Sequence, residues 1–291
     1  MRFNAIIRSF YFWILIVAAV AFAGVVGQSS AQEDSNAKHP SLEPAAANDP
    51  AAVLLLDAAQ HVGLGEISGA PLLAYKLKAI FEVVSPDGSV TDRGRYEAIF
   101  KDDSHSRITY ESTGFTQVAY WNSDHGRATG SRAALAPDPY RLIISALYYP
   151  IYFSGALRRA LVQERHTAIQ SESRTVAGKP ARCYELSNTE QVPYRGPWAT
   201  YCFNGARALV QFTFGVRGTD IATVSRTIEY QGRQIPAEVE MKRNGSSGLR
   251  IHVESIGPVN ESDAALFVAP PEAVALDPIV LPVSSPSSVP K

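Results

Sequence analysis

Residues 73–83, LAYKLKAIFEV, and residues 249–254, LRIHVE, decide the fold class of this chain. In both stretches, apolar side chains alternate with polar or charged ones, which is the pattern of a β-strand that buries one face and exposes the other. The same alternation occurs in residues 95–101, 107–111, 117–120, 210–214 and 235–242. Strands of a parallel sheet that are covered on both sides read instead as continuous apolar runs. The pattern therefore predicts a large antiparallel sheet with one apolar face.

Three segments carry helix signals. Asp49-Pro50 places a capping carboxylate before a proline of the first helical turn, and predicts a helix over residues 51–62. Asp138-Pro139 repeats this signal and predicts a second helix that ends before Pro150. Ser154 follows as the cap of a third helix. The chain thus offers two or three short helices to cover its strands.

The apolar strand faces exceed what these helices can cover. About ten strands of ordinary length are predicted, and their connections Pro86-Asp87-Gly88, Asn122 to Gly126 and Asn244-Gly245 are typical of hairpins. An open twisted sheet of that size tends to curl. The predicted fold is mainly β (α+β): a strongly curved antiparallel sheet forming an unclosed half-barrel, with the helices packed in its concave side.

The two ends of the chain differ in composition from this middle part. Arg2 and Arg8 precede an apolar run over residues 10–26, followed by small and polar residues, which is typical of a secretory signal cleaved after Ala31. An uncleaved N-terminal anchor in the inner membrane is the alternative. The predicted organisation is a signal peptide over 1–31, a disordered lead over 32–50, one domain over 51–270 and a Pro/Ser-rich disordered tail over 271–291.

The secretory signal predicts a periplasmic protein, and the net charge of the chain limits the kinds of partner that it is expected to bind. With 27 Lys and Arg against 28 Asp and Glu, the formal net charge is −1. This balance argues against nucleic acid as the main partner.

The two cysteines, Cys183 and Cys202, lie in segments that read as neighbouring strands. Each is out of phase with the aromatic or apolar residues beside it, so both point to the face opposite the core. In an oxidising compartment, such a cross-strand pair is expected to form a disulfide. A redox-catalytic role is not indicated because there is no C-x-x-C spacing.

Metal-ligand side chains gather in two predicted turns. Asp102, Asp103 and His105 occupy one turn, and Asp124 and His125 occupy the next turn at the same end of the sheet. Carboxylates and imidazoles at one rim are suited to a divalent metal. The simpler interpretation is that these residue types populate ordinary turns, so no metal site is predicted. We find no catalytic motif and no cofactor motif, and we expect a protein that is not an enzyme.

The order of elements resembles the LolA/LppX/RseB class of bacterial periplasmic lipoprotein- and lipid-binding domains. The ending DAALFVAP at residues 263–270 is similar to the short ending common in that class, and the turn YQGRQIP at residues 230–236 is also typical of it. The resemblance covers residues 51–270. It implies an unclosed β-barrel whose apolar cavity receives acyl chains.

These observations predict a non-enzymatic, monomeric carrier of lipid or lipoprotein acyl chains. Large inner-face side chains are the expected lining of the cavity, with phenolic oxygens at its polar mouth. The predicted lining residues are Tyr75, Leu77, Phe81, Tyr96, Phe100, Tyr110, Tyr120, Leu147 and Tyr148. Two alternatives stay open: a filled-core structural or sensory module that binds another envelope protein, and a secreted metal-dependent hydrolase.

Overall fold

A computed structural model describes nine stretches of the chain. They are residues 49–62, 74–102, 104–123, 125–134, 136–147, 167–188, 196–214, 220–243 and 248–277. The predicted signal peptide, most of the lead, the helix after Ser154 and the end of the tail lie outside these residues. No helix within them is both long and apolar enough to cross a bilayer.

The fold consists mainly of β-strands. They are β1 (Tyr75–Val84), β2 (Val90–Asp102), β3 (His105–Ser112), β4 (Thr116–Asn122), β5 (His125–Gly130), β6 (Thr167–Val176), β7 (Lys179–Asn188), β8 (Gly196–Phe203), β9 (Leu209–Phe214), β10 (Asp220–Tyr230), β11 (Arg233–Arg243), β12 (Gly248–Gly257) and β13 (Val274–Ala275). All 13 belong to one sheet, in the order β13-β5-β4-β3-β2-β1-β12-β11-β10-β9-β8-β7-β6.

The sheet is antiparallel at each of its twelve strand pairs and is unclosed, because its order runs from β13 at one edge to β6 at the other. The predicted fold class, a mainly β half-barrel, is confirmed. We call the face that carries Tyr75 and Phe81 the inner face, and the face that carries Lys76 and Ile80 the outer face. Inner-face residues of β1 to β3 and of β7 to β12 share one apolar core with the two α-helices.

Two hairpins close through the tightest kind of turn. Ala177 and Gly178 have φ angles of 48° and 78°, and Gln231 and Gly232 have φ angles of 50° and 77°. Two consecutive positive φ angles are what a two-residue hairpin loop requires, because its twist then matches that of the strands. The second turn is the one that the segment at residues 230–236 predicts.

The first helix, α1 (Pro50–Gln60), begins where its cap predicts. The carboxylate of Asp49 accepts a hydrogen bond from the backbone N–H of Ala51 at 2.9 Å. The far end of α1 is fixed to the sheet, since the N–H of Gln234 in β11 donates to the carbonyl of His61 at 2.8 Å. An ion pair of 3.2 Å joins Asp57 to Arg207 in the β8–β9 turn. This helix therefore covers the part of the inner face that β8 to β11 provide.

The second helix, α2, spans residues 141–147 and follows Asp138-Pro139 as predicted. Its side chains Leu142, Ile143, Ala146 and Leu147 are between 0% and 2% exposed. They belong to the same apolar core as the inner faces of β1 to β3. Helix α2 is therefore a cover on the concave side, as the sequence predicts.

The last helical element is one that the sequence signals do not predict. A 3-10 helix at Glu261–Phe267 contacts the outer face instead of the concave side. Lys76 of β1 donates to Asp263 at 2.8 Å, and the ring of His105 in β3 meets Phe267 edge-on at 6.5 Å. Both partners lie on the outer face, because each alternates with a buried inner-face residue.

The start of the predicted disordered tail is also part of the sheet. Strand β13 pairs with β5, Ala273 is 1% exposed, and Arg127 donates to the Ala273 carbonyl. The N–H of Leu276 donates to the carbonyl of Gly126 at 3.0 Å. Composition alone assigned residues 271–277 to the tail, whereas the β5 edge supplies the backbone partners that fix them.

The disulfide between Cys183 and Cys202 is present. The two residues face each other across β7 and β8, out of phase with the core residues Tyr184 and Leu186. Both cysteines are fully buried on the outer face, in a small cluster with Val176 and Ala181 and with partly buried Val210. The predicted pairing and face are therefore confirmed, and the outer face has a minor core of its own there.

Candidate functional site

The inner face of β1, β2 and β3 forms one apolar surface. Over residues 75–83 of β1, 94–100 of β2 and 106–110 of β3, its inner positions are apolar or aromatic except for Gly94 and Ser106, and the charged inner residue Asp92 lies outside this range at the rim. The predicted lining residues found there are Tyr75, Leu77, Phe81, Tyr96, Phe100 and Tyr110, and Leu147 faces them from α2. All seven are at most 7% exposed. The structure thus brings these residues together, and their role as the lining of a cavity stays a prediction.

Aromatic rings connect this surface to the segment that leads into α2. Tyr96 meets Tyr110 edge-on with centroids 5.2 Å apart, and Tyr110 meets Phe115 at 5.4 Å. Phe115 stacks on Tyr140 at 5.2 Å, and Phe81 meets Tyr140 edge-on at 6.0 Å. Each such pair contributes about 0.5–1.5 kcal/mol beyond the area it buries. The same apolar and aromatic surfaces are suited to contact an acyl chain.

Tyr120 is a correction to the predicted lining. It lies on the outer face, where it pairs with Arg107, whose guanidinium carbon is 5.8 Å from the Tyr120 ring centroid. The inner positions of β4 are Gln117, Ala119 and Trp121, all buried. Gln117 is tolerated inside because its amide donates to two backbone carbonyls, at 3.0 and 2.7 Å. Tyr148 lies outside the described residues.

A polar cluster at one rim fixes the start of α2 to β2. The carboxylate of Asp92 accepts hydrogen bonds from the hydroxyls of Tyr140 and Thr113, both at 2.7 Å, and from the N–H of Gly114 at 3.3 Å. We call these four residues the Asp92 latch. It joins the β3–β4 turn, β2 and the segment that precedes α2.

A second set of charged residues fixes the same segment to the other side of the sheet. Arg243 of β11 donates to both carboxylate oxygens of Asp220 in β10, at 2.9 and 2.7 Å. It also forms an ion pair of 2.8 Å with Asp138. The hydrogen bonds from Arg243 to Asp220 raise the pKa of the Arg243 guanidinium. The segment before α2 therefore spans the concavity between β2 and β11.

The Asp92 latch predicts a contribution to stability that depends on pH. Burial alone would raise the pKa of Asp92, but hydrogen bonds from Ser112, Thr113 and Tyr140 hold it well below its ordinary value. A carboxyl with a depressed folded-state pKa stabilises the fold above its unfolded pKa of about 3.9 and loses that effect as pH falls. We expect D92N to be less stable than wild type at pH 7, with the difference narrowing below pH of about 4. Urea unfolding at several pH values measures this, and a constant difference would contradict it.

Two tyrosines provide a matched test of the latch. The hydroxyl of Tyr110 is buried without a hydrogen-bond partner among the described residues, and burial raises its pKa. Because an unpaired buried hydroxyl is unfavourable, Y110F is expected to leave stability unchanged or to raise it by about 1 kcal/mol. Y140F removes a bond to a carboxylate and should lower the free energy of unfolding by about 1.5–3 kcal/mol. Equal effects of the two changes in urea unfolding would contradict the assignment.

The predicted turn residues do fall at the same end of the sheet. Asp102 and His105 are adjacent across the β2–β3 turn, where Nδ1 of His105 lies 2.8 Å from Asp102, and His125 follows in the next turn. Asp103 and Asp124 lie outside the described residues. Within the described part of the chain, no three His, Cys, Asp or Glu side chains converge as a metal site would require.

The structure has a groove on its outer face that the alternation pattern does not predict. Its volume is about 400 Å³, and it lies between β1, β2, β3, β12 and the 3-10 helix. One signal in the sequence points to it: Ile99 stands between Ala98 and Phe100, at an outward position, and is 1% exposed. A buried isoleucine on the outer face requires a cover, which the C-terminal segment supplies.

Comparisons with known proteins concern the fold. No family model and no curated protein match this chain. Among solved structures, it is similar to a LolA superfamily protein from Nitrosomonas europaea, with 11% identity, 75% of this chain and 97% of the other covered, and a TM-score of 0.41. A Vibrio parahaemolyticus structure, described as an outer membrane lipoprotein-sorting protein domain, has 11% identity, coverages of 72% and 94%, and a TM-score of 0.42. A DUF1329 family protein from Desulfovibrio piger has 13% identity, coverages of 74% and 93%, and a TM-score of 0.43. The class that the sequence resembles is thus represented among the matching structures.

Proposed function

We propose that this chain is a non-enzymatic binding protein of the bacterial cell envelope that holds the acyl chain of a lipid or lipoprotein against its inner face. The apolar core that β1 to β3 share with β7 to β12 is the observation that supports this proposal. In β2 and β10, the charged inner-face residues Asp92 and Asp220 stand near one end of the strand and leave the rest of the inner positions of these two strands without a charge up to the other end. A hydrocarbon chain gains free energy from such a surface in proportion to the area it buries.

Helix α2 is the element that an acyl chain would displace. Its contacts with β1 to β3 are apolar, so an acyl chain replaces them with contacts of the same kind. The Asp92 latch and the Asp138–Arg243 ion pair fix the segment before α2 at its N-terminal side. In this proposal, release of the latch uncovers the aromatic inner face, and closing it shields the bound chain from water.

Uptake of a fluorescent fatty acid tests this proposal. Cis-parinaric acid gains fluorescence in an apolar environment, and we expect wild type to bind it and Y140F to bind it faster because the latch is weakened. Y110F is the matched control, since it removes a hydroxyl that has no part in the latch. The proposal fails if wild type gives no fluorescence gain at micromolar protein.

One observation favours the filled-core module as a second candidate. The described inner-face aromatic residues are at most 8% exposed and contact one another. Such packing also suits a stable module whose rim binds another envelope protein. A protein of that kind would take up no fatty acid with or without the latch, so the same titration separates the two candidates.

A further inference from the structure

The groove on the outer face is built from two kinds of side chain. Ile99 and Leu266 provide its apolar side chains, and Lys76, Lys78, Glu97 and Arg107 provide its charges. Ile99 is 1% exposed, and Leu266 is partly buried. The walls are the outer faces of β1 to β3, the end of β12 and the 3-10 helix. This site is separate from the inner face, because the sheet lies between them.

The charges in this groove are not balanced. Lys76 is neutralised by Asp263 at 2.8 Å, and this hydrogen bond lowers the pKa of the Asp263 carboxyl. The two remaining cations, Lys78 and Arg107, share one carboxylate, that of Glu97. Their distances to Glu97 are 3.7 and 3.9 Å, longer than hydrogen bonds. One positive charge therefore remains in excess.

Arg107 in particular has unused donors. Among the described residues, its guanidinium makes no hydrogen bond, and its Nε is buried without an acceptor. Its position is fixed by the ring of Tyr120, over which the guanidinium lies at 5.8 Å. A buried donor without an acceptor is costly, and an arginine fork is suited to bind a phosphate or carboxylate group. The groove therefore offers an anion site beside an apolar surface.

A peptide would fit this groove less well than a simple amphiphile. Backbone N–H and C=O groups need partners when they are buried, but β1 and β2 are paired on both sides and offer no free strand edge here. Ser255 is the neutral polar side chain among the lining residues. An alkyl chain needs no polar partner, so it can lie on Ile99 and Leu266 while its head group meets Arg107.

We propose that the outer groove binds a single-chain amphiphile with an anionic phosphate or carboxylate head. Arg107 and Lys78 contact the head group, and Ile99 and Leu266 contact the first methylenes of the chain. This site is additional to the inner face and does not depend on the function proposed for that face.

Calorimetric titration with octyl phosphate, below its micellar concentration, tests the site on the full chain. We expect R107Q to weaken octyl phosphate binding roughly tenfold, as loss of one charged hydrogen bond implies, and K78Q to weaken it several-fold. Lys78 is 61% exposed, so its replacement should not disturb folding. R95Q is the matched control, because Arg95 is exposed on the outer face of β2 and does not line the groove. Octyl glucoside, which has the same chain and a neutral head, should bind equally to wild type and R107Q.

Methyl NMR of isoleucine-labelled protein places the ligand. Octyl phosphate should shift the Ile99 signal in wild type and not in R107Q, whereas occupation of the inner face alone would shift Ile108, Ile251 and Ile256, which lie on that face. Inorganic phosphate is the second probe: if it binds as tightly as octyl phosphate, the apolar surface contributes nothing and the proposal is wrong. Unchanged octyl phosphate affinity in both R107Q and K78Q would also overturn it.

Discussion

Replacing Gly94 by alanine is expected to lower the free energy of unfolding by about 3 kcal/mol. Gly94 lies on the inner face of β2 directly opposite Phe81 of β1. A Cβ at this position would lie 2.4 Å from the carbonyl oxygen of Glu111, 2.6 Å from Cζ of Phe81 and 2.7 Å from Cβ of Ser112. Two of these three atoms belong to the adjacent strand β3 and cannot move without breaking the β2–β3 register.

An added Cβ at Gly94 would push the Phe81 ring out of its place, and this ring also contacts Tyr140 of the latch. We therefore expect G94A to loosen α2 as well as the sheet. Thermal unfolding should show a midpoint lowered by roughly 6–12 °C for a domain of this size. Gly205 provides the matched control, because a Cβ there meets no atom within 4 Å. G205A should have a free energy of unfolding within about 0.5 kcal/mol of wild type. If G94A proves as stable as G205A, Phe81 does not pack as closely on Gly94 as in the structure.

Removal of the disulfide is expected to have an effect of similar size. Cys183 and Cys202 are 19 residues apart, and a crosslink that closes a loop of this length stabilises a protein by about 3 kcal/mol, mainly by restricting the unfolded chain. Double replacement by alanine, C183A/C202A, should therefore lower the midpoint of urea unfolding clearly. Because β7 and β8 lie near the β6 edge of the sheet, we expect the variant to lose structure first in that half of the sheet.

Reductant supplies the control for this prediction. Wild type treated with dithiothreitol should approach the stability of C183A/C202A, whereas the variant itself should not respond. Mass spectrometry under non-reducing conditions should find no thiol that can be alkylated in wild type. Two alkylated cysteines, or a wild type that is indifferent to reductant, would contradict the role given to the bond.

The sheet could be predicted from the sequence because its signal is local. In β1, β2, β11 and β12 the alternation of apolar and charged residues directly reports which face is buried. The prediction was wrong where an apolar residue lies outside and a polar one inside. The alternation over residues 117–120 predicts Tyr120 on the inner face, but the β3–β4 register places Gln117 and Ala119 there instead.

The outer face was less predictable because its contacts join distant parts of the chain. Lys76 and Asp263 are 187 residues apart, and no local pattern links them. The same holds for β13, whose two residues acquire their structure from the free edge of β5. The Asp92 latch also joins three separate segments, so its residues carry no common motif. The inner face was thus predictable as a surface, but the residues that fasten its cover were not.

The measurement that tests the central proposal most directly is native mass spectrometry of the protein purified from its own cell envelope without detergent. If the inner face holds acyl chains, part of the protein should carry an added mass that tandem dissociation releases as a lipid or an acylated peptide. Denaturation should remove that mass, since the ligand is held without a covalent bond. Protein that is free of any lipid mass, and that takes up no fatty acid when it is offered, would contradict the account.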